Sequence, residues 1–301
     1  MKFIVRKFAR LFTVPLVRLL QSDSIPGRWG LSLIVAVFTV PIGAEMTEPE
    51  LLKIEVTSRC NAKCVFCLHD GYKGEDMSWG VFKTVVDSFK TRMVHPQFFG
   101  EPTLYPYFVE AIKYLKSKHR TVVFYTNGSF PYGNVNEVLK AAPDRIIFSV
   151  EADNERLYQE IRPGLNWNDL LKNIEICRTS FTATSIRMTV CKENKDRIQK
   201  IVKFWQGKGF PVTAVPESPL KRGEPGRYNK YFCSRPLKQF VVKANGDIVL
   251  CCVDWLSKNV LGNVEDGCRD VWNNEKFENL RQTINTENAP AICKKCGFKM
   301  R

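Results

Sequence analysis

The chain has 301 residues, 44% apolar and 25% charged, without low-complexity tracts or internal repeats, which excludes a disordered or fibrous protein and leaves room for one large domain and a small one. Lysine and arginine outnumber aspartate and glutamate by 45 to 31, a net charge of +14 that favours anionic partners. The basic residues are spread along the chain and form no nucleic-acid-binding motif, so nucleic acid is not expected as a partner. Seven of the eleven cysteines fall in two groups with metal-like spacing, which points to metal sites in a reducing, cytoplasmic compartment rather than to a secreted disulfide framework.

Residues 1–29 carry six basic residues and one acidic one, with Ile4, Phe8, Leu11, Phe12, Leu16 and Leu19 at helical spacing. Two readings stand: an amphipathic segment lying on an anionic membrane surface, or a helix packed on its own domain. The uncharged run at 31–44 contains Pro41 and is too short for a membrane span. Peripheral membrane contact through residues 1–45 is therefore one expectation, and residues 1–48 form an N-terminal extension.

From residue 51 short apolar runs alternate with amphipathic stretches. Strands are predicted at 51–57, near 94–97, at 121–128, 145–152, 183–190 and 210–217. Helices are predicted at 77–92, 105–119, 134–142, 166–180 and 194–209. Approximately six strand–helix units imply an α/β fold with a parallel sheet, either a partial (β/α)6 TIM-like barrel or a doubly wound open sheet. The unusual runs, "FFGEP", "YTNG", "SVEA" and "VPESP", fall at strand ends, where such folds place their chemistry. A core domain at 49–217 and a C-terminal domain at 218–301 follow. The latter has a basic link at 221–230, a β-hairpin with Asn245-Gly246 suited to a type I′ turn, a helix at 270–284 and a closing "CKKCGF". Its few apolar residues make a metal staple plausible.

The segment "VTSRCNAKCVFCLHD" places Cys60, Cys64 and Cys67 on one loop with no fourth cysteine before Cys177. Three thiolates can hold three corners of a four-iron cube and leave one iron open, which separates a catalytic site from a closed structural one. Zinc, or a closed cluster completed by Cys177 or Cys191, is the competing reading, although both cysteines fall in helix or strand patterns.

The spacing CxxxCxxC, with an aromatic residue before the third cysteine, resembles that of radical S-adenosylmethionine (SAM) enzymes. "FFGEP" at 98–102 is similar to that family's GGEP turn, with Phe99 in place of the first glycine. "YTNG" and "FSVEA…YQEIRPG" resemble its third and fourth strands. Cys233, the Gly246-x4-Cys251 hairpin and the Cys293/Cys296 pair look like a SPASM-type domain with a single auxiliary cluster. The resemblance implies that Cys60, Cys64 and Cys67 hold a [4Fe–4S] cluster whose open iron is chelated by SAM. Reductive cleavage would then yield a 5′-deoxyadenosyl radical that abstracts a substrate hydrogen. It also implies that Gly100 and Glu101 receive the methionyl amino group, that Phe66 lies by the adenine, and that Ser149 and Arg162 contact the ribose or carboxylate. On the residues alone, Glu101 could instead cap the next helix, Phe66 could be core packing, and Ser149 and Arg162 could be structural.

Cys233, Cys251, Cys293 and Cys296 form a second, complete thiolate set that suits zinc or iron–sulfur, and the resemblance favours an auxiliary [4Fe–4S] cluster. A regular strand turns Cys252 to the opposite face from Cys251, and Cys252 remains a possible substitute ligand. Cys177, Cys191 and Cys268 are expected to be ordinary residues. The implied activity is hydrogen abstraction for oxidation or modification of a small, sugar-like or anionic molecule, with an electron donor such as flavodoxin or ferredoxin. A peptide-modifying maturase and a non-catalytic two-cluster electron carrier are the alternatives. No catalytic side chain is identified from the sequence.

Overall fold

A computed structural model describes residues 48–68, 74–131, 135–218 and 233–296. The N-terminal segment proposed to touch lipid and the basic link at 221–230 lie outside these residues. Among the described residues, no helix is long and apolar enough to cross a membrane.

Six strands and the helices between them build the core: β1 (Leu51–Ile54), α1 (Trp79–Ser88), β2 (Met93–His95), α2 (Phe108–Ser117), β3 (Thr121–Thr126), α3 (Val135–Lys140), β4 (Arg145–Ser149), α4 (Glu155–Ile161), α5 (Trp167–Arg178), β5 (Ala183–Val190), α6 (Ile198–Gly207) and β6 (Val212–Pro216). A short 3-10 turn at Pro102–Leu104 follows β2. The six strands are parallel and lie in the order β6-β5-β4-β3-β2-β1, in an open sheet. The strands follow one another without the reversal of a doubly wound sheet, so of the two forms the alternation allowed this is the partial barrel.

The strands read as strands because their residues alternate in burial, in the two-residue period of a pleated sheet. On β1 and β3, Leu52, Ile54, Val122 and Phe124 are fully buried while their neighbours are half-buried. The buried set joins Val85 and Val86 of α1, Ile112 and Leu115 of α2, Leu170 and Ile174 of α5, and Ile201 and Trp205 of α6 in one apolar core. Caps fix where helices start: Ser78 Oγ accepts from Val81 N, Asn154 from Leu157 N, and Asn166 from Asn168 N and Asp169 N. β1 is shorter than predicted. It ends at Ile54, and the chain then turns into the cysteine loop.

The C-terminal part comprises α7 (Arg235–Lys238), β7 (Gln239–Val242), β8 (Asp247–Val249), β9 (Val260–Asn263), α8 (Cys268–Trp272), α9 (Glu275–Thr283) and α10 (Ala291–Lys295). Strand β7 pairs in parallel with β1, so the barrel sheet continues directly into the antiparallel β7-β8-β9 segment. Three sequence expectations are corrected here. The hairpin turn is not type I′, because only Gly246 has positive φ (87°) and Gly246 N donates to Lys243 O. This is a turn centred on Ala244 and Asn245, followed by a left-handed glycine, as in a bulged hairpin. The single helix predicted at 270–284 is two helices, because Asn274 accepts from Phe277 N and starts a new one. Strand β9 was not anticipated. Its sequence, "VLGN", is short and has a glycine against which Val271 packs within 3 Å of a would-be Cβ.

Candidate active site

The cysteine loop leaves the end of β1 and is docked on three sides. Arg59 donates from Nε and Nη2 to Asp76 at 3.0 and 2.8 Å, and from Nη2 to Leu104 O at 2.6 Å. Asn61 joins the end of β3, donating to Ser129 Oγ (2.9 Å) and accepting from Asn127 Nδ2 (2.8 Å). Lys63 N and Val65 N donate to Pro163 O and Ile161 O, fastening the loop to the end of α4. Cys67 N closes a turn onto Cys64 O at 3.0 Å. The thiols of Cys60, Cys64 and Cys67 are half-buried, and the loop holds them near enough that each of the latter two raises the pKa of Cys60.

The turn after β2 lies beneath this loop. Glu101 N donates to Arg59 O at 2.8 Å, and a Cβ on Gly100 would stand 2.3 Å from Thr57 O and 2.6 Å from Arg59 O. Glycine is required at 100 by this close backbone approach. Gly100→Ala should therefore destabilise the fold by about 1–3 kcal/mol, the usual cost of overpacking. It should also lower iron uptake at the three-cysteine loop, seen together as a reduced melting temperature and reduced iron per chain.

Glu101 is buried with its carboxylate fully engaged. Oε1 accepts from Thr103 N (3.2 Å), Thr103 Oγ1 (2.8 Å) and Thr126 Oγ1 (2.8 Å), and Oε2 from Asn127 N (2.6 Å). Burial pushes its pKa up, against these hydrogen bonds. Glu101 thus caps the 3-10 turn, as its alternative reading had it, and also ties that turn to the end of β3.

Phe99, which departs from the family pattern, packs on Trp255 of the C-terminal part at 5.9 Å between ring centroids. Glu55, fully buried just after β1, accepts from Phe99 N (3.3 Å) and from Ala244 N (3.2 Å). Core turn and C-terminal hairpin are thereby locked to the same carboxylate.

Arg162, at the C-terminus of α4, is buried and connects several parts. It pairs through Nε and Nη2 with both oxygens of Glu151, donates from Nη1 to Cys64 Sγ at 3.3 Å, and lies 5.4 Å over the Phe66 ring. Burial opposes its charge, but Cys64 and Glu151 outweigh burial and hold it protonated. Ser149 ends β4 as the Cα partner of Arg187, two positions before Glu151. Glu151, Asn61 and Asn127 were not singled out from the sequence. Glu151 and Asn127 sit inside the strand-end runs "SVEA" and "YTNG", and Asn61 directly follows Cys60. Position relative to the cysteines was the one available signal.

Three of the second thiol set lie near Arg235, the first residue of α7, whose charge is favoured by Cys252, Cys251, Cys296 and Cys233 despite burial. Asn285 fixes Cys233, accepting from its N (2.7 Å) and donating to its O (3.3 Å). Asp254, fully buried, orders the turn after Cys252 by accepting from Lys258 N (3.0 Å) and Asn259 N (2.8 Å). The two adjacent cysteines differ in surroundings. Cys251 feels Cys293, whereas Cys252 feels Lys53 of β1 and Arg187 of β5. Both cysteines sense the charge of Arg235, and Cys252 is also within reach of the two basic residues of the barrel sheet.

Do these residues suit iron–sulfur clusters? Among the described residues, no three His, Cys, Asp or Glu side chains converge on a point as the ligands of one metal ion would. The thiolates of a four-iron cube each bind a different iron and stand farther apart than the ligands of one ion, and the donor sets fit such a cluster by type. Burial raises the thiols, to about 12 at Cys60 and Cys293 and about 11 at Cys64. Cluster binding must therefore expel protons from them, driven by the metal charge.

Comparison with known proteins agrees. The model of the radical SAM superfamily matches residues 54–204, and that of an iron–sulfur cluster-binding domain, SPASM, matches residues 233–297. The chain belongs to the radical SAM superfamily, a superfamily of enzymes that bind a [4Fe–4S] cluster and SAM, and it carries a C-terminal SPASM domain, which binds auxiliary iron–sulfur. It is 24% identical to the tungsten-containing aldehyde ferredoxin oxidoreductase cofactor-modifying protein of Pyrococcus furiosus, over 54% of this chain and 50% of that one. It is 20% identical to the S-adenosyl-L-methionine-dependent 2-deoxy-scyllo-inosamine dehydrogenase of Niallia circulans, over 82% of this chain and 92% of that one. The match thus spans half the length of the first relative and nearly all of the second. Among solved structures, Streptococcus suis SuiB bound to precursor peptide SuiA superposes with a TM-score of 0.65 at 16% identity, covering 83% of this chain and 70% of SuiB.

Proposed function

We propose that this chain oxidises or otherwise modifies a small molecule by hydrogen abstraction, with residues 49–217 as the radical SAM core and 218–301 as the auxiliary-cluster domain. In this reading Cys60, Cys64 and Cys67 hold the SAM-binding cluster, and Cys233, Cys251, Cys293 and Cys296 hold the auxiliary one. When bound, SAM and its cluster supply a hydrogen-abstracting radical, and the auxiliary cluster supplies a one-electron acceptor. Arg162 would steady the first cluster through its hydrogen bond to Cys64 Sγ and would position Phe66 beside SAM. Gly100 lets the turn approach the cysteine loop, and Glu101 holds that turn rigid. Ser149 would reach the ribose or carboxylate from the end of β4.

The observation that carries the small-molecule reading is the continuation of the barrel sheet through β7. It brings the hairpin that leads to Cys251 and Cys252 onto β1, with Cys252 within reach of the charges of Lys53 and Arg187, which supports an auxiliary cluster held close to that face. An acceptor so placed stands next to the space a substrate would occupy, as dehydrogenation requires. The relation to a dehydrogenase over nearly its whole length supports the same reading. A peptide substrate is the second reading, favoured by the likeness in fold to SuiB.

The test is hydrogen transfer. The reconstituted, reduced chain would be given SAM with deuterated cyclic alcohols, sugar acids or peptides, and deuterium followed into 5′-deoxyadenosine by mass spectrometry. Transfer from a small molecule is expected. Transfer from peptides alone would overturn the reading in favour of a maturase.

A further inference from the structure

The face of the barrel sheet turned away from the helices is unusually polar. While Leu52, Val94, Phe124, Phe148 and Ile186 turn into the helical layer, their half-buried alternates include Lys53 on β1, His95 on β2, Tyr125 on β3 and Arg187 on β5. These four come from four different strands, yet they form a connected set. Lys53 and His95 are Cα partners across the β1–β2 ladder. The His95 and Tyr125 rings meet edge to face at 6.2 Å. Arg187 Nη1 donates to Tyr125 Oη at 3.3 Å, and its guanidinium lies 5.3 Å over the same ring.

The two cations on this face have a thiol, Cys252, as a neighbour. Among the described residues, neither Lys53 nor Arg187 has an ion pair with a carboxylate. Three carboxylates at the same end of the barrel are otherwise engaged. Glu55 accepts from Phe99 N and Ala244 N, and Glu101 from four donors at the β2 and β3 ends. Glu151 is held by Arg162 and by Thr189 N. His95 adds no charge, since burial and Lys53 bring its pKa down to about 3. Its neutral ring can donate or accept one hydrogen bond. Two half-buried cations without a carboxylate partner make a positive site that attracts an anion.

We propose that Lys53 and Arg187 bind an anionic group of the substrate, a carboxylate or a phosphate, with Tyr125 orienting the guanidinium and offering its hydroxyl. Resting on the reading above for the reaction that this site serves, the inference narrows the substrate to an anionic small molecule. Arg187 presents a planar fork suited to two oxygens, and Lys53 a compact charge.

The experiment uses the full chain reconstituted with iron, sulfide and SAM, titrated calorimetrically at low salt with inorganic phosphate and, separately, with succinate. At least one dianion should bind, and glycerol should not. Lys53→Gln and Arg187→Gln should each weaken binding at least tenfold, and Arg187→Lys less than Arg187→Gln. Lys140→Gln, on exposed α3, should leave it unchanged. Circular dichroism checks that each variant folds, and Arg187→Lys serves should Arg187→Gln not fold. Tighter phosphate points to a phosphorylated substrate, and tighter succinate to a carboxylate; either supports the proposal. Absence of dianion binding by the native chain, or binding that survives Lys53→Gln and Arg187→Gln combined, overturns it. SAM cleavage is assayed in parallel on the native chain. A chain that cleaves SAM but binds no dianion loses only this inference, and one that binds dianions but never cleaves SAM loses the reaction instead.

Discussion

Replacing Cys60, Cys64 and Cys67 together with alanine should abolish formation of 5′-deoxyadenosine from SAM under dithionite, while about four of the eight irons of two [4Fe–4S] clusters remain on the chain. The native chain, reconstituted identically, should produce it. The loss should be complete rather than partial, because an open iron exists only while three thiolates hold the other corners. The variant should still fold, since the loop is anchored by groups other than thiols. Arg59 grips Asp76 and Leu104 O, Asn61 joins Asn127 and Ser129, and Lys63 N and Val65 N are tied to the end of α4. Iron analysis and mass spectrometry on the two proteins decide the matter. Should neither chain cleave SAM while the variant keeps its four irons, the open-site argument fails and the protein is better read as an electron carrier.

Arg162→Met should lower stability by about 3–5 kcal/mol, the usual cost of removing one partner from a buried ion pair. Glu151 would remain buried with its carboxylate aimed at an apolar side chain, keeping Thr189 N as a donor but losing both guanidinium contacts. At roughly 2–4 °C per kcal/mol for a chain of this size, the melting temperature should drop by about 6–20 °C. Adding Glu151→Gln to Arg162→Met should recover part of that loss, because no charge is then stranded. Thermal unfolding followed by circular dichroism compares the three proteins. Equal melting temperatures for the single and double variants would show that the stranded charge is not what destabilises the fold.

Much of the site was legible before any coordinates. Cysteine spacing and the strand-end position of "FFGEP", "YTNG" and "SVEA" are local properties, and β5 falls at 183–190 as its pattern predicts. The two-residue period that the sequence suggested for Cys251 and Cys252 does not apply, since β8 ends at Val249 and the chain turns at Cys252. What escaped was every feature that joins residues distant in sequence. Nothing near Glu55 announces that its carboxylate will meet Phe99 N and Ala244 N at once. Nothing in the sequence tied Phe99, which departs from the family's turn, to Trp255. The break at Asn273-Asn274 was missed because an apolar helical stripe continues across it, and the Asn274 cap prevailed over periodicity.

By itself, then, the sequence determined the βα alternation, the two thiol sets and the turn beneath the first, because periodicity and ligand spacing are written in neighbouring residues. Only the tertiary structure decided that β7 lies beside β1, that Arg162 links Glu151, Cys64 and Phe66, and that Lys53, His95, Tyr125 and Arg187 share one face. Those juxtapositions depend on sheet order and on which strand ends meet. The chain settles both through long-range packing, which no local pattern records.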